Sequence, residues 1–131
     1  MPRPKSEHPT PGELEVLKIL WDRGPATARQ VWEILNEQQP RHYTSVNSLL
    51  NVMTEKGLVK CHAEGRAFEY EAKADRQKTL GRLVDDLVSR AFEGSASALV
   101  LQALDRCRPS QDEIDEIAKV IRDYRKQRDK K

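Results

Sequence analysis

The sequence predicts a mainly α-helical chain interrupted once by a small β-hairpin, on three observations. Before Gly57, apolar residues recur at the three- and four-residue spacing of helices in three separate runs. Between Leu58 and Glu71 the period shortens to two. From Asp75 the helical period returns and continues nearly to the end.

The first helix opens at Thr10-Pro11-Gly12-Glu13, where threonine caps, proline suits the first helical position and glutamate completes a capping box. Leu14, Leu17, Leu20 and Trp21 follow at helical spacing, and Gly24-Pro25 stops the run. Thr27 caps a second helix, with Gln30 three residues on and an apolar stripe of Val31, Ile34 and Leu35. Pro40 ends it. A third helix starts near Tyr43 or Thr44 and buries Val46, Leu49, Leu50 and Met53. Gly57 is its natural stop, because glycine takes a left-handed cap without strain.

The hairpin follows. Leu58 to His62 and Ala67 to Glu71 are the strands, and Glu64-Gly65-Arg66 is the turn. Phe68 and Tyr70 alternate with glutamates, as in a half-buried strand. Beyond it, Leu80, Leu83, Val84, Leu87, Val88, Ala91 and Phe92 form one stripe, broken by Gly94-Ser95. A short helix with Ala98, Leu99, Leu101 and Leu104 ends near Pro109. Ser110 to Glu113 reads as a further capping box, after which Ile114, Ile117, Ile121 and Tyr124 take heptad spacing. Arg125 to Lys131 reads as a frayed basic tail.

Three short helices and a hairpin outline a winged helix-turn-helix, in which the third helix of the chain enters the major groove of DNA. Residues 1–73 are assigned to this domain and 74–131 to a helical dimerisation domain. At about 100° per residue, an inward Val46, Leu49, Leu50 and Met53 leave Thr44, Ser48, Asn51 and Glu55 outward, flanked by Ser45 and Asn47. Asparagine pairs bidentately with adenine, and serine or threonine serves either base edge. Arg41 and His42 precede this helix, Thr27 and Arg29 begin the second, and Arg66 stands at the hairpin tip. These are the expected phosphate contacts, with Thr27 first of all a cap and Arg66 reaching a phosphate or the minor groove. Trp21 and Trp32 are assigned to the core. The stripes from Leu80 to Phe92, through Leu99, Leu101 and Leu104, and from Ile114 to Tyr124 are too apolar for a tail with little means of making its own core. A second copy of the chain is expected to cover them.

Composition narrows the function classes. The chain has 131 residues, 37% hydrophobic and 34% charged, with a net charge of +2. No apolar run approaches the roughly 18 residues of a membrane span, and the opening MPRPKSEHPT lacks a secretory apolar stretch, so a cytoplasmic protein is expected. Cys61 and Cys107 form no paired motif, and His8, His42 and His62 are scattered, so neither a disulfide nor a metal site is expected. No phosphate loop, zinc-ligand motif or nucleophile elbow points to an enzyme, and no cofactor is expected. Residues 1–73 hold ten basic and ten acidic side chains. That neutrality leaves open a second reading, a winged helix that binds another protein.

The blocks ELEVLKILWDRGPATARQVWEIL, YTSVNSLLNVMTEKGLV and EGRAFEYEA, with ALVLQAL and SQDEIDEI in the tail, resemble the penicillinase and methicillin-resistance repressors, the BlaI/MecI family. The similarity spans about residues 9 to 121. It implies a homodimeric winged-helix repressor on a palindromic DNA operator. It also implies relief by a regulatory protease that cuts a tail motif, S-L-V-L-N-F. The matching stretch is Ala98 to Ala103, and the scissile pair falls at Gln102-Ala103, where both residues differ from the family's. Val52 stands where the family often has a basic residue, which implies a different operator sequence. The cysteine-rich C-terminus of the copper-responsive branch has no counterpart here.

Overall fold

The structure is a computed structural model, which describes residues 8–130. Most of the opening segment MPRPKSEHPT and the last residue of the basic tail lie outside the described residues. Two compact units are present, residues 1–84 and 85–131.

The first unit contains α1 (Pro11–Arg23), β1 (Ala26–Thr27), α2 (Ala28–Gln38), α3 (Tyr43–Lys56), β2 (Val59–Glu64) and β3 (Ala67–Ala72). Both expected N-terminal capping boxes form. Thr10 Oγ1 accepts from the Glu13 amide at 3.2 Å, and Thr27 Oγ1 accepts from the Gln30 amide at 3.2 Å. Gly57 takes a left-handed conformation, φ 80°, and the Leu58 amide donates back to Met53 O at 2.9 Å. This Schellman closure turns the chain out of α3 and straight into β2.

One core holds the unit together. Val16, Leu17 and Leu20 of α1, Val31 and Leu35 of α2, and Val46, Leu50 and Met53 of α3 meet Ala26, Val59 and Tyr70 of the sheet. The sheet has three antiparallel strands in the order β1-β3-β2, not the two of the expected hairpin. Ala26 and Thr27 pair with Tyr70 and Glu69. A two-residue strand carries no period, and its residues read as part of a turn and a cap. Leu49, expected inward, is half-buried and packs on the edge of the core. Phe68 is on the expected face but 63% exposed, because the hairpin extends past the helices that cover Tyr70.

The first compact unit extends to Val84. Three bonds fix the exit from β3: Trp21 Nε1 donates to Ala74 O at 2.9 Å, and Leu58 O accepts the amides of Lys73 and Ala74. Asp75 then caps α4 (Arg76–Ala91) through the Lys78 amide, and Thr79 is buried in the first unit.

The rest of α4, α5 (Ala96–Cys107) and α6 (Gln111–Asp129) belong to the second unit. Glu93 and Gly94 are both left-handed, φ 51° and 83°, which is the break expected there, and Ser95 caps α5. α6 continues through Asp129, so Arg125, Lys126 and Arg128 are helical, not frayed. Lys126 and Arg128 in its last turn favour this by offsetting the helix dipole. No side chain from Asp85 to Lys130 is buried. Leu87, Leu101, Ile114, Ile121 and Tyr124 are 45%, 62%, 41%, 49% and 66% exposed. Among the described residues, no helix is long and apolar enough to cross a membrane.

Candidate nucleic-acid interface

The outward face of α3 is short, polar and uncharged over its first three turns. Thr44, Ser45, Ser48 and Asn51 are all exposed, and Asn47 is half-buried beside them. The face is clear because Val46, Leu50 and Met53 lock the opposite side into the core. Val52, 42% exposed, adds one apolar side chain, and Glu55 closes the face at the C-terminal end. Lys56, the one cation in the last turn, is turned away to Glu13.

Grooves run along both flanks of α3. The first, of about 390 Å³, is lined by Thr27 of β1, Arg29 of α2, Tyr43 and Asn47 of α3, and Arg66 and Phe68 of the hairpin. Four residues expected from the sequence, Thr27, Arg29, Asn47 and Arg66, therefore come together from β1, α2, α3 and the hairpin turn. Arg29 is pre-oriented: its guanidinium lies 5.8 Å from the Trp32 ring centroid and 3.4 Å from Glu33. The second groove, of about 280 Å³, brings Arg41 and Ser45 together with Pro40 and Leu49.

Arg41 is not a loose loop cation. Its guanidinium meets Glu15 at 3.2 Å and donates to Gln39 O, while its amide donates to Asn36 Oδ1. Reaching a phosphate means exchanging Glu15 for it. His42, exposed, is the N-cap of α3 and takes part through its backbone carbonyl.

Trp32, Tyr43 and Phe68 carry more of the site than their residue types suggested. Trp32 Nε1 donates to Arg41 O at 2.8 Å, which pins the turn entering α3, and its ring meets Tyr43 edge-on at 6.2 Å. Trp32 thus positions both Arg29 and the start of α3 while packing on the core. Tyr70 forms the floor of the larger groove. Burial, with help from neighbouring Cys61, raises its phenol above the ordinary value, so it stays neutral at physiological pH.

Three helices, a three-stranded sheet and a projecting hairpin, with the polar face of the third helix open, define a winged helix-turn-helix protein. The chain belongs to the penicillinase repressor family, which matches residues 9–123. It is 32% identical over 114 residues to the transcriptional regulator BlaI of Mycobacterium tuberculosis, covering 84% of this chain and 81% of that one. It is 24% identical over 113 residues to the penicillinase repressor of Bacillus licheniformis, covering 86% and 88%. The solved DNA-binding domain of the repressor BlaI aligns with 27% identity and a TM-score of 0.47, over 51% of this chain and 82% of that one.

Proposed function

We propose that this protein is a transcriptional repressor that binds an inverted-repeat DNA operator as a homodimer, with α3 in the major groove. Membership of a family of repressors supports the class. The observation that carries the mechanism is the open face of Thr44, Ser48 and Asn51, flanked by grooves that hold the cations. On this reading Asn51 and Ser48 contact base edges. Arg29, Arg66 and the first-turn amides of α2 contact phosphates, and Arg41 joins them by leaving Glu15.

Dimerisation rests on the second unit. Its exposed leucines, isoleucines and Tyr124, with no buried side chain among the described residues, are the surface a second copy would cover. Proteolytic relief at Gln102-Ala103 belongs to the same reading. Both residues are exposed but lie inside α5, so a protease must act on a locally opened helix. The protein acts by binding, inside the cell, and catalyses no reaction of its own.

Six cationic phosphate contacts per dimer, from two copies each of Arg29, Arg41 and Arg66, give a slope of log affinity against log salt of about −5. The test compares two variants on operator and scrambled DNA at several salt concentrations. Asn51→Ala should cost roughly 1–3 kcal/mol on the operator and relax preference at one position. Arg66→Ala should weaken both DNAs alike and flatten the slope by about one per contacting copy. Equal losses on both DNAs for Asn51→Ala would remove its reading role. A winged helix that binds protein instead predicts no effect of either variant on DNA.

A further inference from the structure

The outer face of the hairpin holds a cluster that DNA binding does not use. In the β2–β3 ladder, His62 is paired with Glu69, Cys61 with Tyr70 and Glu64 with Ala67. Val59 and Tyr70 turn into the core, so alternation puts Lys60, His62, Glu64, Glu69 and Glu71 on the opposite face. Lys60 and Glu71 pair with each other at 3.7 Å. His62 Nε2 lies 3.7 Å from Glu69 Oε1. One ligand atom from each of His62, Glu64 and Glu69 lies within 4.8 Å of the other two.

We propose that His62, Glu64 and Glu69 form a binding site for one divalent transition ion of the zinc class. An imidazole nitrogen and two carboxylate oxygens are donors that this ion takes, with a water in the fourth position. Tetrahedral ligands about 2.1 Å from zinc stand about 3.4 Å apart. The three donors therefore need to close by at most about 1.4 Å, which rotation of half-buried His62 and Glu69 and exposed Glu64 supplies. Calcium and magnesium fit poorly, because they need six or more oxygens or a near-ideal octahedron. Cys61 is on the other face and takes no part.

The hairpin supplies the preorganisation. Six paired positions fix the spacing of the two strands, so the ligand positions are set by the ladder and not by the ion. Electrostatics favours filling the site: two carboxylates converge on an imidazole that alone does not balance them, and a dication does. Bound there, the ion ties the two strands together beside Gly65 and Arg66. Ligand spacing along the chain does not reveal such a site, because His62 and Glu69 meet across a turn.

Zinc chloride titrated calorimetrically into the full-length chain, in a non-coordinating buffer, tests the site. Cys61→Ser and Cys107→Ser are included to remove thiol binding. One ion per chain is expected, with the His62 ring resonances shifting and those of His8 and His42 unmoved. His62→Ala and Glu69→Gln should each weaken binding by at least about tenfold, since even loss of a residue behind a ligand costs that much. Two separate variants, each checked for fold by circular dichroism, keep the result from resting on one that unfolds. Unchanged affinity in a folded His62→Ala or Glu69→Gln chain, or a titration that leaves the His62 ring unmoved, would overturn the proposal.

Discussion

Lys56→Ala is expected to destabilise the protein by about 3 kcal/mol, near the lower end for breaking a buried ion pair. Glu13 opens α1 but is 1% exposed. Lys56 Nζ, from the last turn of α3, meets its two oxygens at 2.9 and 3.2 Å, and the Thr10 amide donates to it at 2.9 Å. Without the ammonium, a buried carboxylate keeps one backbone amide and no counter-charge. The Lys56 side chain is 25% exposed, which keeps the cost from the top of the range. For a domain this size the thermal midpoint should fall by more than about 10 °C. Glu13→Met with Lys56→Met should lie closer to the natural protein than Lys56→Ala alone, because removing both charges avoids the orphan. Thermal unfolding of the three chains checks this. A Lys56→Ala midpoint within a degree or two of the natural one would mean that water already solvates Glu13.

On the proposed dimer, Leu87→Asp should leave a monomer. Leu87 lies in the α4 stripe with Leu83, Val84 and Val88, and it is 45% exposed in the single chain. If a second copy covers the stripe, the new carboxylate is buried without a partner, at a cost of several kcal/mol. Ile121→Asp on α6 should act in the same way. Sedimentation velocity gives the mass directly. An operator with two half-sites should then lose the gain of joining them, so binding on the full operator should fall toward that on one half-site. Leu87→Asp that stays dimeric would show that the stripe is covered by something other than a second copy.

Much of this architecture is legible in the sequence because its signals are local. Thr10, Thr27 and Gly57 mark helix ends through contacts with residues no more than five positions away. Val46, Leu50 and Met53 define the buried side of α3, and the polar face follows by subtraction. What the sequence conceals is non-local. Glu13 and Lys56 are 43 positions apart, and each alone reads as a solvated helix charge. β1 is two residues long and exists through its pairing with β3. Trp32 reads as core, while its indole holds the turn before α3. Arg41 reads as a free cation because nothing near it in the chain announces Glu15. Phe68 has the alternation of a half-buried residue, but the length of the hairpin relative to the helices decides its exposure.

On the proposed function, two copies of α3 read DNA in a two-fold arrangement. Selection by the full-length protein from a pool of random duplexes tests it whatever the sequence of the operator. The expected result is enrichment of an inverted repeat, with half-sites roughly 10 bp apart centre to centre or a multiple of that. Asn51→Ala is expected to select the same repeat with one position per half-site degenerate. A pool that stays random, or an enriched sequence without a repeat that Asn51→Ala leaves unchanged, would contradict it.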